Sequence, residues 1–183
     1  MTRQWLLTCA AILSLSACND AKDEAKPTSE KAAEAAGDKT LATGLGNNSK
    51  FAAAIKSAGL EGALAGPTPY TLLVPNDGAF DKLPAASREK LMSPAGRKDL
   101  TAVLTNHILP GTMLAADIGK AIDSGGGKTQ IATLGGGALT AMRSGDAIVI
   151  ADTAGTQAKV IAVDNARSNG VIHTIDSVLM PAK

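Results

Sequence analysis

Residues 169–181 read NGVIHTIDSVLMP. The stretch alternates, as a strand does. Val171, His173, Ile175 and Ser177 fall on one side, and Ile172, Thr174 and Asp176 on the other. Ser168-Asn169-Gly170 is read as the turn that leads into it. A histidine set among apolar neighbours in such a strand fixes local structure by hydrogen bonding, so His173 is predicted to be structural.

Working back from there, residues 125–167 share the same two-residue period. TQIATL, ALTAMR, DAIVIAD and AKVIAVD are separated by glycines and polar residues. Antiparallel strands with tight turns are predicted. SGGGK at 124–128 lacks the spacing of a phosphate-binding loop and is read as a hairpin loop. LGGG at 134–137 is read as the turn between two strands.

Before residue 125 the period lengthens. In NSKFAAAIKSAGLEGAL, Phe51, Ala54, Ile55 and Ala58 recur at helical spacing, and Gly59 suits a C-terminal cap. YTLLV at 70–74 is a short buried strand ended by Pro75. NDGAFDKL follows as a short helix capped by Asn76 or Asp77. PAASREKLM and AGRKDLTAVLTNHIL read as two further helices, and LAADIGKAI as another short helical turn. Helices crowd the first half and strands the second, with one early strand. That segregation predicts an α+β fold.

The 183 residues contain one tryptophan, one tyrosine and two phenylalanines. The core is therefore aliphatic. Beyond residue 17 the chain carries 17 basic and 17 acidic side chains. Neither nucleic-acid binding nor a strongly acidic surface fits that balance, and base stacking lacks its aromatics.

The N-terminus reads as an export signal. Arg3 precedes an apolar run from Trp5 to Leu15, too short for a membrane span of about 20 residues. Leu15-Ser16-Ala17-Cys18 resembles the bacterial lipobox. The resemblance implies a diacylglyceryl group on the Cys18 sulfur and cleavage after residue 17. Cys9 leaves with the signal, so Cys18 has no disulfide partner in the mature chain. Residues 18–40 hold six acids, four bases and no large apolar side chain. They are predicted to form a tether of roughly 25 Å typical span. The division is thus signal 1–17, tether 18–39 and domain 40–183.

Three stretches together resemble a fasciclin-type domain: TLLVPNDGAF at 71–80, NHILPG at 106–111 and NGVIHTIDSVLMP at 169–181. The resemblance implies helices packed against a twisted antiparallel β-sandwich or wedge. It also implies adhesion or partner recognition, in general without catalysis; no metal or cofactor is expected. In animal adhesion members an Asp-Ile pair before the last motif is linked to receptor recognition. Asp164 and Asn165 stand there here, so the aspartate is kept and the isoleucine is not. Asn106 precedes His107 where many members carry tyrosine. Asn106, His107 and Asp164 are the candidate partner contacts, with internal hydrogen bonding as their alternative role.

His107 and His173 are the two histidines. No four-ligand spacing surrounds them, and no GxSxG frames a serine nucleophile. The expectation is a lipid-anchored module of the bacterial cell envelope, held at the membrane through Cys18. Its expected partner is an envelope or matrix protein or glycan. A periplasmic carrier of a small molecule or lipid is the alternative.

Overall fold

The computed structural model describes residues 38–46 and 49–181. The signal, Cys18 and nearly all of the predicted tether lie outside these residues. The first half carries helices α1 (Leu41–Gly44), α2 (Lys50–Ala58) and α3 (Glu61–Ala65), then strand β1 (Tyr70–Pro75). Helices α4 (Asp77–Asp81), α5 (Ala85–Met92) and α6 (Arg97–Asn106) follow, with a 3-10 turn at Pro94–Gly96 before α6. Strand β2 (Ile108–Pro110) and helix α7 (Ala115–Ser124) lead to β3 (Lys128–Ala132) and β4 (Ala138–Ser144). Strands β5 (Ala147–Ala151), β6 (Gln157–Arg167) and β7 (Gly170–Ile175) complete the chain.

The strands form one seven-stranded sheet in the order β2-β1-β7-β6-β5-β4-β3. Its two ends approach each other, for the amide of Leu134, just past β3, donates to the Ile108 carbonyl of β2 at 2.8 Å. The sheet is therefore close to a barrel. The eleven-residue β6 belongs to both halves: its first part pairs with β5 and its later part with β7 alone. Two register shifts between Val160 and Asn165 bend it, as bulges do.

Two cores result. Phe51, Ile55, Leu72, Phe80, Leu104 and Ile172 lie between the helices and one face of the sheet. Leu73, Ile118, Ile122, Ile150, Val160 and Ile175 lie between the sheet halves, under α7. Adjacent residues of β1, Leu72 and Leu73, feed opposite cores, which is why YTLLV reads as continuous apolar sequence rather than alternation.

The predicted capping is resolved in detail. Asn76 Oδ1 accepts from the Ala79 amide at 2.8 Å, so Asn76 caps α4. Asp77 instead accepts from the Lys50 amide at the start of α2. Gly59 ends α2 with φ of 75°.

Four sequence expectations are corrected. The β1–β7 pairing is parallel, because the chain crosses through the whole of the domain between them. NHIL does not prolong α6: His107 caps it and β2 begins at Ile108, giving a second early strand. LAADIGKAI is a full ten-residue helix, α7. The glycines at 125–127 join that helix to β3 and are not a hairpin loop.

Candidate partner-binding site

His107 and its neighbours serve the interior. The ring is fully buried and lies edge-on to Phe51, with centroids 6.0 Å apart. Its Nδ1 donates to the Val103 carbonyl at 2.8 Å, and its Nε2 accepts from the Leu179 amide at 3.1 Å. The next amide, Met180, is held by Asp152 Oδ2 at 2.8 Å. The C-terminal segment is thus pinned by consecutive backbone amides. Asn106 is also buried, with Oδ1 3.4 Å from the Thr133 hydroxyl and Nδ2 unpartnered among the described residues.

His173 holds the second junction. Its Nε2 donates to the Met113 carbonyl at 2.8 Å, and its Nδ1 accepts from the Asp164 amide at 3.2 Å. Asp164 has φ of 55°, a left-handed backbone at the bulge of β6. Its carboxylate accepts from the Ala115 amide at 2.7 Å. Thr71 adds a further tie, donating to Gly111 O and accepting from Met113 N, both at 2.8 Å. Together these bonds fasten the start of α7 to β1, β6 and β7. The candidate contacts therefore divide: Asn106 and His107 lie inside one core, while Asp164 is half-exposed at the bulge.

All four histidine ring nitrogens are engaged with backbone groups, which leaves no lone pair free for a metal. Both rings must be neutral, since each uses one nitrogen as an acceptor. Burial pushes His107 down to about 4, against the opposing effects of its bond to Val103 and of the nearby Asp152 charge. Burial also lowers His173, against its bond to Met113 and the Asp164 charge. The unfolded chain protonates these histidines near their ordinary value while the folded chain does not. Unfolding then takes up protons, and stability falls as pH drops from about 6.5 towards 4. His107 alone is expected to cost about 3 kcal/mol over that window, about 1.4 kcal/mol per pH unit. Urea unfolding at stepped pH reads this directly; a flat profile between 6.5 and 4 would contradict the neutral, buried rings.

Beside Asp164 a groove of about 800 Å³ opens between α7, the β4–β5 hairpin and β6. Leu114, Ile148, Val160 and Val163 give it apolar walls. Four aspartates, 117, 123, 146 and 164, line it against Lys120 and Arg143. Arg143 grips Asp123 with two bonds, at 2.9 and 3.1 Å. That fork holds the Asp123 carboxyl below its usual range and ties β4 to α7. Next to the groove Ile161 and Val163 are 50% and 49% exposed. Sequence reasoning did not single out this groove. The one sign of it was AKVIAVD, whose apolar residues are too continuous for a strand with one wet face.

A profile of the Fasciclin domain matches residues 46–181. The chain belongs to the fasciclin domain family. A Synechocystis relative, Protein sll1483, is 36% identical over 147 residues, covering 80% of this chain and 71% of its own. The pig transforming growth factor-beta-induced protein ig-h3 is 37% identical over 130 residues, which is 70% of this chain and 17% of that much longer protein. The cell surface glycolipoprotein MPB83 of Mycobacterium bovis is 32% identical over 112 residues, 61% of this chain and 44% of its own. Among solved structures, a FAS1 domain pair from the insect cell adhesion molecule Fasciclin I aligns with a TM-score of 0.54 at 22% identity. It covers 71% of this chain and 44% of that one, and at that identity the likeness concerns the fold. In this fasciclin domain the motifs at 106–111 and 169–181 supply the two buried histidines, so their shared role here is to hold the scaffold.

Proposed function

We propose that this fasciclin domain is an adhesion and binding module of the bacterial cell envelope, tethered to a membrane through lipidated Cys18. The observation that carries the reading is the exposed apolar segment Ile161–Val163 beside the groove. Exposed apolar surface rimmed by polar groups marks contact sites. The Mycobacterium bovis relative, named as a cell surface glycolipoprotein, supports the same setting.

The carrier alternative asks for an enclosed apolar chamber. The cavity under α5, lined by Phe51, Phe80, Leu91 and Val178, measures about 10 Å³. That is room for one water, and the larger spaces, the groove of about 800 Å³ beside Asp164 and a cleft of about 1020 Å³ beside Lys90 and Met180, are open with mixed polar and apolar walls.

A lipid anchor places many copies on one surface, where weak single contacts add. In cells, Cys18→Ser is expected to move the protein from the membrane pellet to the soluble fraction and to reduce adhesion. A Cys18→Ser protein that still pellets would remove the anchor. Unchanged cell aggregation and surface attachment in a deletion strain would remove the adhesion reading.

A further inference from the structure

The occupant of the groove beside β6 is legible in its walls. We infer that it receives an extended segment of a partner protein, carrying alternating apolar and basic side chains, which adds as a short strand along Ile161–Val163. The inference rests on the binding-module reading and names the partner's chemistry.

Three observations converge. First, β5 pairs with β6 only as far as Lys159. Past that point β5 diverges, and among the described residues no strand lies on that side of Ile161–Asp164. A strand edge left open in this way is a template for another chain. Secondly, edges are ordinarily guarded by charge or proline. Ile161, Ala162 and Val163 are instead three consecutive exposed apolar residues. Thirdly, the groove has four carboxylates against two cations. Arg143 is already committed to Asp123, and Lys120 stands 3.8 Å from Asp117. Asp146, exposed at the hairpin tip, and Asp164 remain uncompensated by a bridging cation among the described residues. Charge complementarity therefore selects a basic chain over an acidic one.

The bulges limit the contact. Register shifts between Val160 and Asn165 curl the edge, and the α7 amide of Ala115 occupies the Asp164 carboxylate. About three residues of partner fit before the edge turns away, so a single contact is weak and gains from many tethered copies.

The test uses the full chain, isotope-labelled and extracted in a nonionic detergent, with two synthetic probes. One is N-acetyl-Lys-Val-Lys-Val-Lys-Val-amide and the other its glutamate counterpart. With the lysine peptide, amide resonances of 161–163, 115–120 and 146–148 are expected to shift together. The glutamate peptide is expected to leave them in place. Raising the salt is expected to weaken binding. Asp146→Lys is expected to weaken it about tenfold, and Ile161→Ser with Val163→Ser to abolish the shifts. All three positions are exposed, so the fold is expected to survive, and an unchanged urea midpoint checks this.

Equal binding of the two peptides, or shifts scattered away from β6, would overturn the inference. So would an affinity unchanged by Asp146→Lys, or a response to an oligosaccharide in place of the lysine peptide. The binding-module reading fails separately: it falls if the deletion strain adheres normally. If adhesion is lost on Ile161→Ser with Val163→Ser but no basic preference appears, the surface stands and the partner chemistry does not.

Discussion

Gly170→Ala is expected to destabilise the domain by about 4 kcal/mol or more, among the largest effects of any single substitution. The reason is a close approach of two backbones. A Cβ at Gly170 would sit 1.9 Å from the Tyr70 carbonyl oxygen and 2.9 Å from Leu41 Cδ1. Gly170 also has φ of 150°, where side-chain-bearing residues are strained. Tyr70 and Gly170 are the first partners in the parallel β1–β7 ladder, so neither strand can yield without unzipping it. Urea unfolding measures the loss. A cost below about 1 kcal/mol would mean that β1 can slide away, and the tight β1–β7 contact would not be what sets the register.

The residue before it carries the second large effect. Asn169 is buried, and its amide nitrogen donates to the Leu64 and Gly66 carbonyls at 2.8 and 2.6 Å. Its Oδ1 accepts from the Leu41 amide at 2.7 Å. One side chain thus joins the start of α1, the end of α3 and the β6–β7 turn. Asn169→Ala leaves three backbone groups without partners, a loss of about 3 kcal/mol or more at 1–3 kcal/mol for each. Asn169→Asp is expected to be worse despite its matching shape. It turns an acceptor towards two carbonyl oxygens and buries a charge. Thermal or urea unfolding of both variants ranks them. An aspartate variant as stable as the parent would show that the two carbonyl bonds contribute little.

The contrast between these two neighbours and their sequence reading is instructive. His173 was legible, because a polar residue in an apolar alternation has few ways to satisfy itself. Asn76 was legible for the same reason at a helix start, where the cap bond lies within four residues. Asn169 read only as a turn, since its partners lie more than 100 residues away. Local pattern holds no trace of such a bond. Strand β2 was absorbed into α6 because His107, Ile108 and Leu109 continue the helical period; tertiary pairing with β1 decides otherwise. Helix α7 reads as only a short turn in the sequence, and Gly119 sits in its middle. That glycine faces the Arg143 guanidinium, 2.7 Å from where its Cβ would be, so the helix carries a costly residue in exchange for the fork to Asp123. The groove was the least legible feature. It depends on β5 leaving β6 after Lys159, which follows from two bulges and not from any run of residue types.

Asn169 and Gly170 together also set how the domain ages. In an unfolded chain the Gly170 amide nitrogen, unhindered by a side chain, attacks the neighbouring Asn169 carboxamide carbon and expels ammonia. Water then reopens the imide ring to aspartate or its β-linked isomer. In the fold the carboxamide is clamped by two carbonyls and one amide, and the peptide following it is fixed in the β1–β7 ladder. The reaction is thereby confined to moments of unfolding. Its products lack the donor that Leu64 and Gly66 require, so a chain modified while open closes to a less stable fold, as expected of Asn169→Asp. Repeated opening would then be recorded as a one-way accumulation of weakened molecules. The lifetime of the protein would follow the time it spends open and not its age since synthesis.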